Sequence, residues 1–244
     1  FRELDQLVGL DSVKKEIRTL ADSIFTEQER ARMEDRQPEI PMFHYQFLGN
    51  PGTGKTTVAR IMGNIFYSLG LLPTNKLLEI TPGDLIIGFV GHTAKQTRKM
   101  VKRGIGGVLF IDEAYTLKSG DNDSFGAEAI DTLLKRLEDD RGKFVCIVAG
   151  YTDQMHDFID SNPGLKSRFT QTIHFDDYTA DELTEIFLKM AHGKRFTVDE
   201  ETEKGINRLF SQMYLRRDKN FGNAREARRV FDEAVERQSQ RLMT

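Results

Sequence analysis

Apolar residues along the chain fall into short dense runs separated by longer amphipathic stretches. The runs Tyr45–Leu48, Leu77–Ile80, Val108–Ile111, Phe144–Ala149 and Thr172–Phe175 are rich in β-branched and aromatic residues and predict strands. Those centred on Ile111 and Ile147 show little polar alternation, which predicts burial on both faces. Val13, Ile17, Leu20, Ile24 and Phe25 recur at helical spacing and predict an amphipathic helix after Asp11. The polar, proline-containing stretch Glu34–Pro41 predicts a connecting loop. Strands alternating with helices predict an α/β fold with a five-stranded parallel sheet covered by helices on both faces.

Past Phe175 the strand signal stops. Leu183, Ile186, Phe187 and Met190 form one helical stripe behind a capping box of Thr179 and Glu182, and Phe221–Met243 reads as a second long helix. The change of pattern predicts a boundary near Asp176–Tyr178, with an α/β domain over residues 1–176 and a small helical lid over 177–244.

Composition narrows the function classes. Of 244 residues, 30% are charged and 39% hydrophobic, and no run approaches the roughly 20 apolar residues that a membrane helix requires. The first residues carry neither the basic nor the apolar region of a secretory signal, and the chain opens on Phe1, as a processed product or an excised fragment does. The expected location is the cytoplasm, or an organelle stroma for a plastid homologue, without membrane insertion. A net charge of −3 with interspersed signs gives no electrostatic case for nucleic acid as a partner. Cys146, the only cysteine, sits in an apolar run and reads as a buried thiol. His44, His92, His156, His174 and His192 are scattered, and neither H-E-x-x-H, G-x-S-x-G nor a plausible Cys–His nucleophile pair is present.

The chemistry concentrates in two motifs. Gly49-Asn50-Pro51-Gly52-Thr53-Gly54-Lys55-Thr56 fits G-x-x-x-x-G-K-[ST], with a strand ending at Leu48 and a helix beginning near Lys55. Glycines permit a tight loop whose backbone N–H groups, with the helix N-terminus, surround a triphosphate. The Lys55 ammonium neutralises β/γ-phosphate charge and the Thr56 hydroxyl ligates Mg²⁺. The second motif, Gly107-Val108-Leu109-Phe110-Ile111-Asp112-Glu113, is an apolar strand ending in two carboxylates. Adjacent residues of extended chain point apart, so Asp112 can serve the metal while Glu113 faces an attacking water, a division that implies ATP hydrolysis.

These motifs, with Leu7-Val8-Gly9-Leu10, Gly49–Thr57, Val90-Gly91-His92-Thr93-Ala94, Gly106–Tyr115, Ala149-Gly150-Tyr151, Asn162-Pro163-Gly164 and Gly222-Asn223-Ala224-Arg225, resemble in order and spread the AAA+ ATPases of the CbxX/CfxQ type. That group includes red-type Rubisco activase, stage V sporulation protein K and the ATPases of type VII secretion. The resemblance implies an ATP- and Mg²⁺-dependent ATPase acting as a homo-oligomer, a hexameric ring, on a protein client.

It also implies site residues. Val8 and Gly9 would border the adenine, and Asn50, Pro51, Gly52, Thr53, Gly54, Lys55, Thr56 and Thr57 would hold the phosphates. Arg168, just before the last strand, resembles the arginine finger that reaches a neighbouring subunit's γ-phosphate. Arg225 resembles the sensor-2 arginine. The chain departs from the family pattern at sensor 1, where many AAA+ proteins have Asn after the fourth strand. Here Thr152 is the polar candidate, with Tyr151 or a mere turn as alternatives. Phe89, in Ile87-Gly88-Phe89-Val90-Gly91, matches the aromatic that projects into the central pore to grip extended polypeptide; an ordinary core Phe is the other reading. Lys118–Phe125 is a candidate second pore-facing loop. Rubisco activation, sporulation-type or secretion-type remodelling, and a nucleotide-gated scaffold that threads nothing all stay open, whereas the charge balance and aromatic pore loop disfavour a DNA-related ATPase.

Overall fold

The computed structural model describes residues 1–39, 44–89, 91–118 and 124–243. In chain order the elements are α1 (Arg2–Asp5), α2 (Asp11–Met33), β1 (Tyr45–Gly49), α3 (Lys55–Ser68), β2 (Leu77–Ile80), α4 (Pro82–Leu85), α5 (His92–Gly104) and β3 (Val108–Ile111). After a 3-10 turn at Ala114–Leu117 come α6 (Ser124–Asp139), β4 (Val145–Gly150), α7 (Thr152–Asp160), α8 (Pro163–Arg168), β5 (Gln171–Phe175), α9 (Ala180–Gly193), α10 (Glu200–Leu215) and α11 (Ala224–Met243). The chain divides into two compact units. The first comprises Phe1–Leu4, Asp11–Leu48 and Lys55–His174; the second comprises Asp5–Leu10, Gly49–Gly54 and Phe175–Thr244.

The sheet has the strand order β2-β3-β4-β1-β5, so β3 and β4 lie between the consecutive strands β1 and β2, β1 lies between β4 and β5, and parallel pairing requires the connections to cross over through helices. The β1–β4, β3–β4 and β2–β3 pairs are all parallel. Strands β3 and β4 are buried along their whole length, as the lack of polar alternation predicts. Leu109, Ile111, Cys146 and Val148 on one face join a core with Met100 and Val101 of α5, Leu133 and Leu137 of α6 and Phe158 of α7. The alternate positions point the other way. There the Phe47 and Phe110 rings meet edge-on at 6.4 Å, Tyr45 lies against Phe66 of α3 at 6.3 Å, and Gly63 lets α3 approach Val108.

In the second unit, the Thr179 hydroxyl accepts from the Glu182 N–H and Glu182 Oε2 accepts from the Thr179 N–H, which closes the expected capping box of α9. The Phe187 ring meets Phe210 of α10 and Phe231 of α11 edge-on, so one aromatic ties three helices together.

Several expectations need correction. Phe25 faces outward at 56% exposure, because it lies about 100° round the helix from Ile24; the buried stripe of α2 is Val13, Ile17, Ala21, Ile24 and Ala31. The ladder of β4 begins at Val145, the partner of Val108, and leaves Phe144 buried just ahead of the strand. The last helix starts at Ala224, since Asn223 has φ 51°, which a right-handed helix cannot contain. Helix α10 went unpredicted: only Phe210 of its residues is buried, so its stripe is faint. Residues 40 and 41 of the expected loop lie outside the described residues.

Candidate functional site

The phosphate loop and the start of α11 belong to one unit, and they are in contact. Gly52 has φ 73°, and a Cβ there would lie 2.1 Å from the Gly222 carbonyl oxygen and 3.2 Å from Arg225 Cγ, so only glycine fits. The Ala224 N–H donates to the Gly52 carbonyl at 3.2 Å. Asn50 donates to Asp177 Oδ1 at 2.9 Å, and the Thr53 hydroxyl closes a local turn on the Asn50 carbonyl at 2.8 Å. Tyr178, whose phenol is pushed up to about 12 by burial and then by the Glu182 charge, donates its hydroxyl to the Thr53 carbonyl at 3.4 Å.

Val8 is buried, and Gly9 and Leu10 follow with left-handed φ of 56° and 57°. Gly9 is pressed against the capping Glu182, where a Cβ would lie 1.9 Å from the carboxylate. Leu10 reaches the space beside Gly54. The predicted adenine-side residues and the loop Asn50–Gly54 are thereby gathered in the same unit as Arg225, which is exposed on the first turn of α11.

In the other unit, Lys55 and Thr56 open α3, and Thr57 is exposed behind them. The Thr56 hydroxyl lies 3.5 Å from Glu79 Oε1 in β2. Asp112 emerges at the C-terminal end of β3, its N–H held by the Ile80 carbonyl at 3.0 Å. Glu113 follows with φ 50° and ψ 39°, a strained conformation for a non-glycine residue, and its side chain is exposed. Tyr115 sits beside this pair. Its phenol is pushed up to about 12 by burial first, then by Glu113, Tyr151 and Asp112. The Tyr115 and Tyr151 rings are 6.0 Å apart. Of the sensor-1 candidates, Tyr151 thus stands in the neighbourhood of the carboxylates, while Thr152 is the first residue of α7. Glu79, Tyr115, Asp177 and Asn223 were not singled out from the sequence. Glu79 had one available signal, as the only acid inside an otherwise apolar strand.

Arg168 ends α8. Its Nη2 lies 3.2 Å from Glu138 Oε2, and its Nη1 donates to Ser167 Oγ at 3.0 Å.

The loop before α5 is pinned at its base. The Ile87 N–H donates to Thr93 Oγ1 at 3.1 Å, and that hydroxyl donates back to the Ile87 carbonyl at 2.7 Å. Thr97 and Gln96 donate to the carbonyls of Leu85 and Asp84. From this anchored base Phe89 projects at 71% exposure, with the His92 ring edge-on at 6.2 Å, so it is not a core residue. Val90, and residues 119–123 of the proposed second loop, lie outside the described residues.

Comparison with known proteins adds the following. Residues 45–177 match the model of the ATPase family associated with various cellular activities (AAA), and residues 179–244 match that of the AAA lid domain. The chain is 39% identical over 243 residues to stage V sporulation protein K of Bacillus subtilis, covering 99% of this chain and 75% of that protein. It is 42% identical over 247 residues to protein CbbX of Cereibacter sphaeroides, covering 100% and 79% of the two chains. It is likewise 42% identical over 240 residues to the chloroplastic ribulose bisphosphate carboxylase/oxygenase activase of Cyanidioschyzon merolae, covering 97% and 80%. Among solved structures, a Thermogota maritima RuvB mutant superposes with a TM-score of 0.64 at 22% identity, over 96% of this chain and 64% of that one, a likeness of fold.

Proposed function

This chain belongs to the AAA ATPase family, in the group of CfxQ- and CbbX-like proteins, and on that footing we propose that it works as a hexameric ring that couples ATP hydrolysis to remodelling a protein partner. ATP hydrolysis itself follows from the family. The ring, the pore and the client are our reading.

In that reading the N–H groups of the loop over Asn50–Gly54, together with Lys55 and Thr57, hold the phosphates, and Val8 and Gly9 border the base. Thr56 and Asp112 supply hard oxygen donors of the kind Mg²⁺ takes, and the Glu113 N–H bond to Asp112 Oδ1 at 3.0 Å orients that carboxylate. Bound Mg²⁺ would neutralise phosphate charge. Glu113, exposed next to Asp112, accepts the proton of the attacking water. Tyr151 or Thr152 helps to place that water. Arg225 meets the phosphates of its own subunit, and Arg168, released from Glu138, meets those of the next. We place the functional division between residues 176 and 177; the AAA model ends at residue 177 and the lid model begins at residue 179.

The observation that carries the remodelling reading is Phe89, an exposed aromatic on a loop fixed at its base by Thr93. Apolar contact of this kind is tolerant of sequence, which suits a grip on varied polypeptide. The name of the Cyanidioschyzon merolae relative points to a client of the ribulose bisphosphate carboxylase class, and the 39% identity to the Bacillus subtilis sporulation protein favours a different client as the second reading. The test is client remodelling by Phe89→Ala protein, measured beside its ATPase rate.

A further inference from the structure

Asn223 is fully buried, and both ends of its amide are hydrogen-bonded. Its Oδ1 accepts from the Tyr178 N–H at 2.8 Å. The two hydrogens of its Nδ2 are shared among three acceptors, Asp177 Oδ1 at 2.8 Å, the Phe221 carbonyl at 3.0 Å and the Pro51 carbonyl of the phosphate loop at 3.3 Å. Asp177 Oδ1 also accepts from Asn50 of that loop, and Asp177 Oδ2 lies 3.5 Å from Arg217 Nε. The backbone of Asn223, at φ 51°, turns the chain into α11, and its carbonyl accepts from Glu226 and Ala227. Few residues meet both demands. Asparagine tolerates the left-handed region and presents a donor and an acceptor together, whereas aspartate would set a second carboxylate against Asp177.

We propose that Asn223 is a positioning residue for the nucleotide site: through Pro51, and through Asp177 with Asn50, its amide locks the phosphate loop to the first turn of α11, so that nucleotide in the loop sets the position of that turn. The proposal rests on the reading of the loop as the phosphate site. It does not need Arg225 to touch phosphate. The second contact in the same place, Ala224 N–H to the Gly52 carbonyl, shows how little slack the two segments have.

The test is amide hydrogen exchange on the intact protein, with and without ADP, in wild type, Asn223→Gly, Asn223→Asp and Arg225→Ala. Glycine keeps the left-handed turn and deletes the amide. Aspartate keeps the turn and the acceptor for Tyr178 and loses the donors. In wild type, ADP is expected to slow exchange both in residues 49–57 and in residues 224–230. In the two Asn223 variants the loop should still be protected while the response of 224–230 disappears, and ADP release should quicken by roughly tenfold, the scale of one lost hydrogen bond to a charged partner. Arg225→Ala should retain the response at 224–230. A response that survives in both Asn223 variants, or that is lost only in Arg225→Ala, overturns the proposal, as does a wild type whose loop is protected without any change at 224–230. If residues 49–57 of wild type show no protection, the phosphate-loop reading itself fails, a distinct result.

Discussion

The backbone N–H of Glu113 donates to Oδ1 of Asp112 at 3.0 Å, across a peptide that the left-handed φ of Glu113 turns sharply. One carboxylate is thus fixed by its neighbour's backbone while that neighbour's own side chain points to solvent. The roles of the pair separate accordingly. Glu113→Gln removes the base and leaves the orienting N–H, so ATP affinity should be unchanged while turnover falls by about 100-fold or more, the usual worth of a positioned general base. Lys55→Ala should weaken ATP binding itself, by about tenfold or more, through loss of a charged phosphate contact. Equilibrium binding and phosphate release, measured separately, check both. Glu113→Gln protein that hydrolyses at the wild-type rate would remove Glu113 from the water.

Phe89 sits at 71% exposure, so its truncation deletes little buried area and should leave the melting temperature and the basal ATPase rate close to wild type. Client remodelling should be lost. The same two assays on Phe89→Tyr should show partial function, since the ring is kept. Remodelling that persists in Phe89→Ala would exclude a grip at this loop, and threading through the pore would be the wrong mechanism.

Much of this was legible in the chain because it depends on local pattern. The strand runs, the phosphate loop and the Asp112–Glu113 pair announce themselves by composition and spacing, and the capping box of Thr179 and Glu182 is a four-residue signal. What escaped depends on distant partners. Asn223 reads as part of a helix over Phe221–Met243, and its partners Tyr178, Asp177 and Pro51 lie 45, 46 and 172 positions away in sequence. Phe25 reads as core because hydrophobicity alone does not say which side of Ile24 the helix buries. Helix α10 escaped for the opposite reason, its apolar residues Leu209 and Leu215 remaining 41% and 81% exposed. Arg168 was singled out by its resemblance to an arginine finger, and its ion pair with Glu138, 30 residues earlier, has no sequence signature.

His44 gives a pH dependence. Its ring lies between Phe144 and Phe169, with both centroids 5.9 Å away, and its Nδ1 accepts the Cys146 N–H at 3.0 Å, so the neutral form is required. Burial first, then the Arg141 and Arg168 charges, lower it from 6.5 to about 4. Between those values the unfolded chain binds a proton that the folded chain refuses, so stability falls as the pH falls. The contribution is complete above pH 6.5 and lost by about pH 4, and amounts to about 3 kcal/mol. Urea unfolding across that range should show a steeper loss in wild type than in His44→Gln, which keeps an acceptor and cannot titrate. Equal slopes would place the pH sensitivity elsewhere.

In the proposed ring, the role of Arg168 depends on a second copy of the chain. In the single chain its guanidinium is paired with Glu138, and the side chains are 31% and 60% exposed. A pair that exposed contributes about 0–1 kcal/mol, so Arg168→Ala should fold with a nearly unchanged melting temperature and bind ATP normally. Hydrolysis should nevertheless be almost abolished if a neighbouring site needs the guanidinium to stabilise charge on the departing phosphate, a loss of about 1000-fold by the measure of other arginine fingers. The specific activity of wild type should likewise rise with protein concentration as rings fill. Mixing decides the geometry. Arg168→Ala subunits carry an intact Glu113, and Glu113→Gln subunits carry an intact Arg168, so an interface that joins one of each in the right order restores a complete site. Two inactive preparations should therefore regain partial hydrolysis once subunit exchange has been shown by a fluorescent label. If mixed rings form and no activity returns, titration of each variant into wild type separates the remaining cases. Activity that declines in simple proportion to the Arg168→Ala fraction would mean that Arg168 serves its own subunit, which sinks the trans assignment. A steeper decline would show that the ring requires several consecutive intact sites.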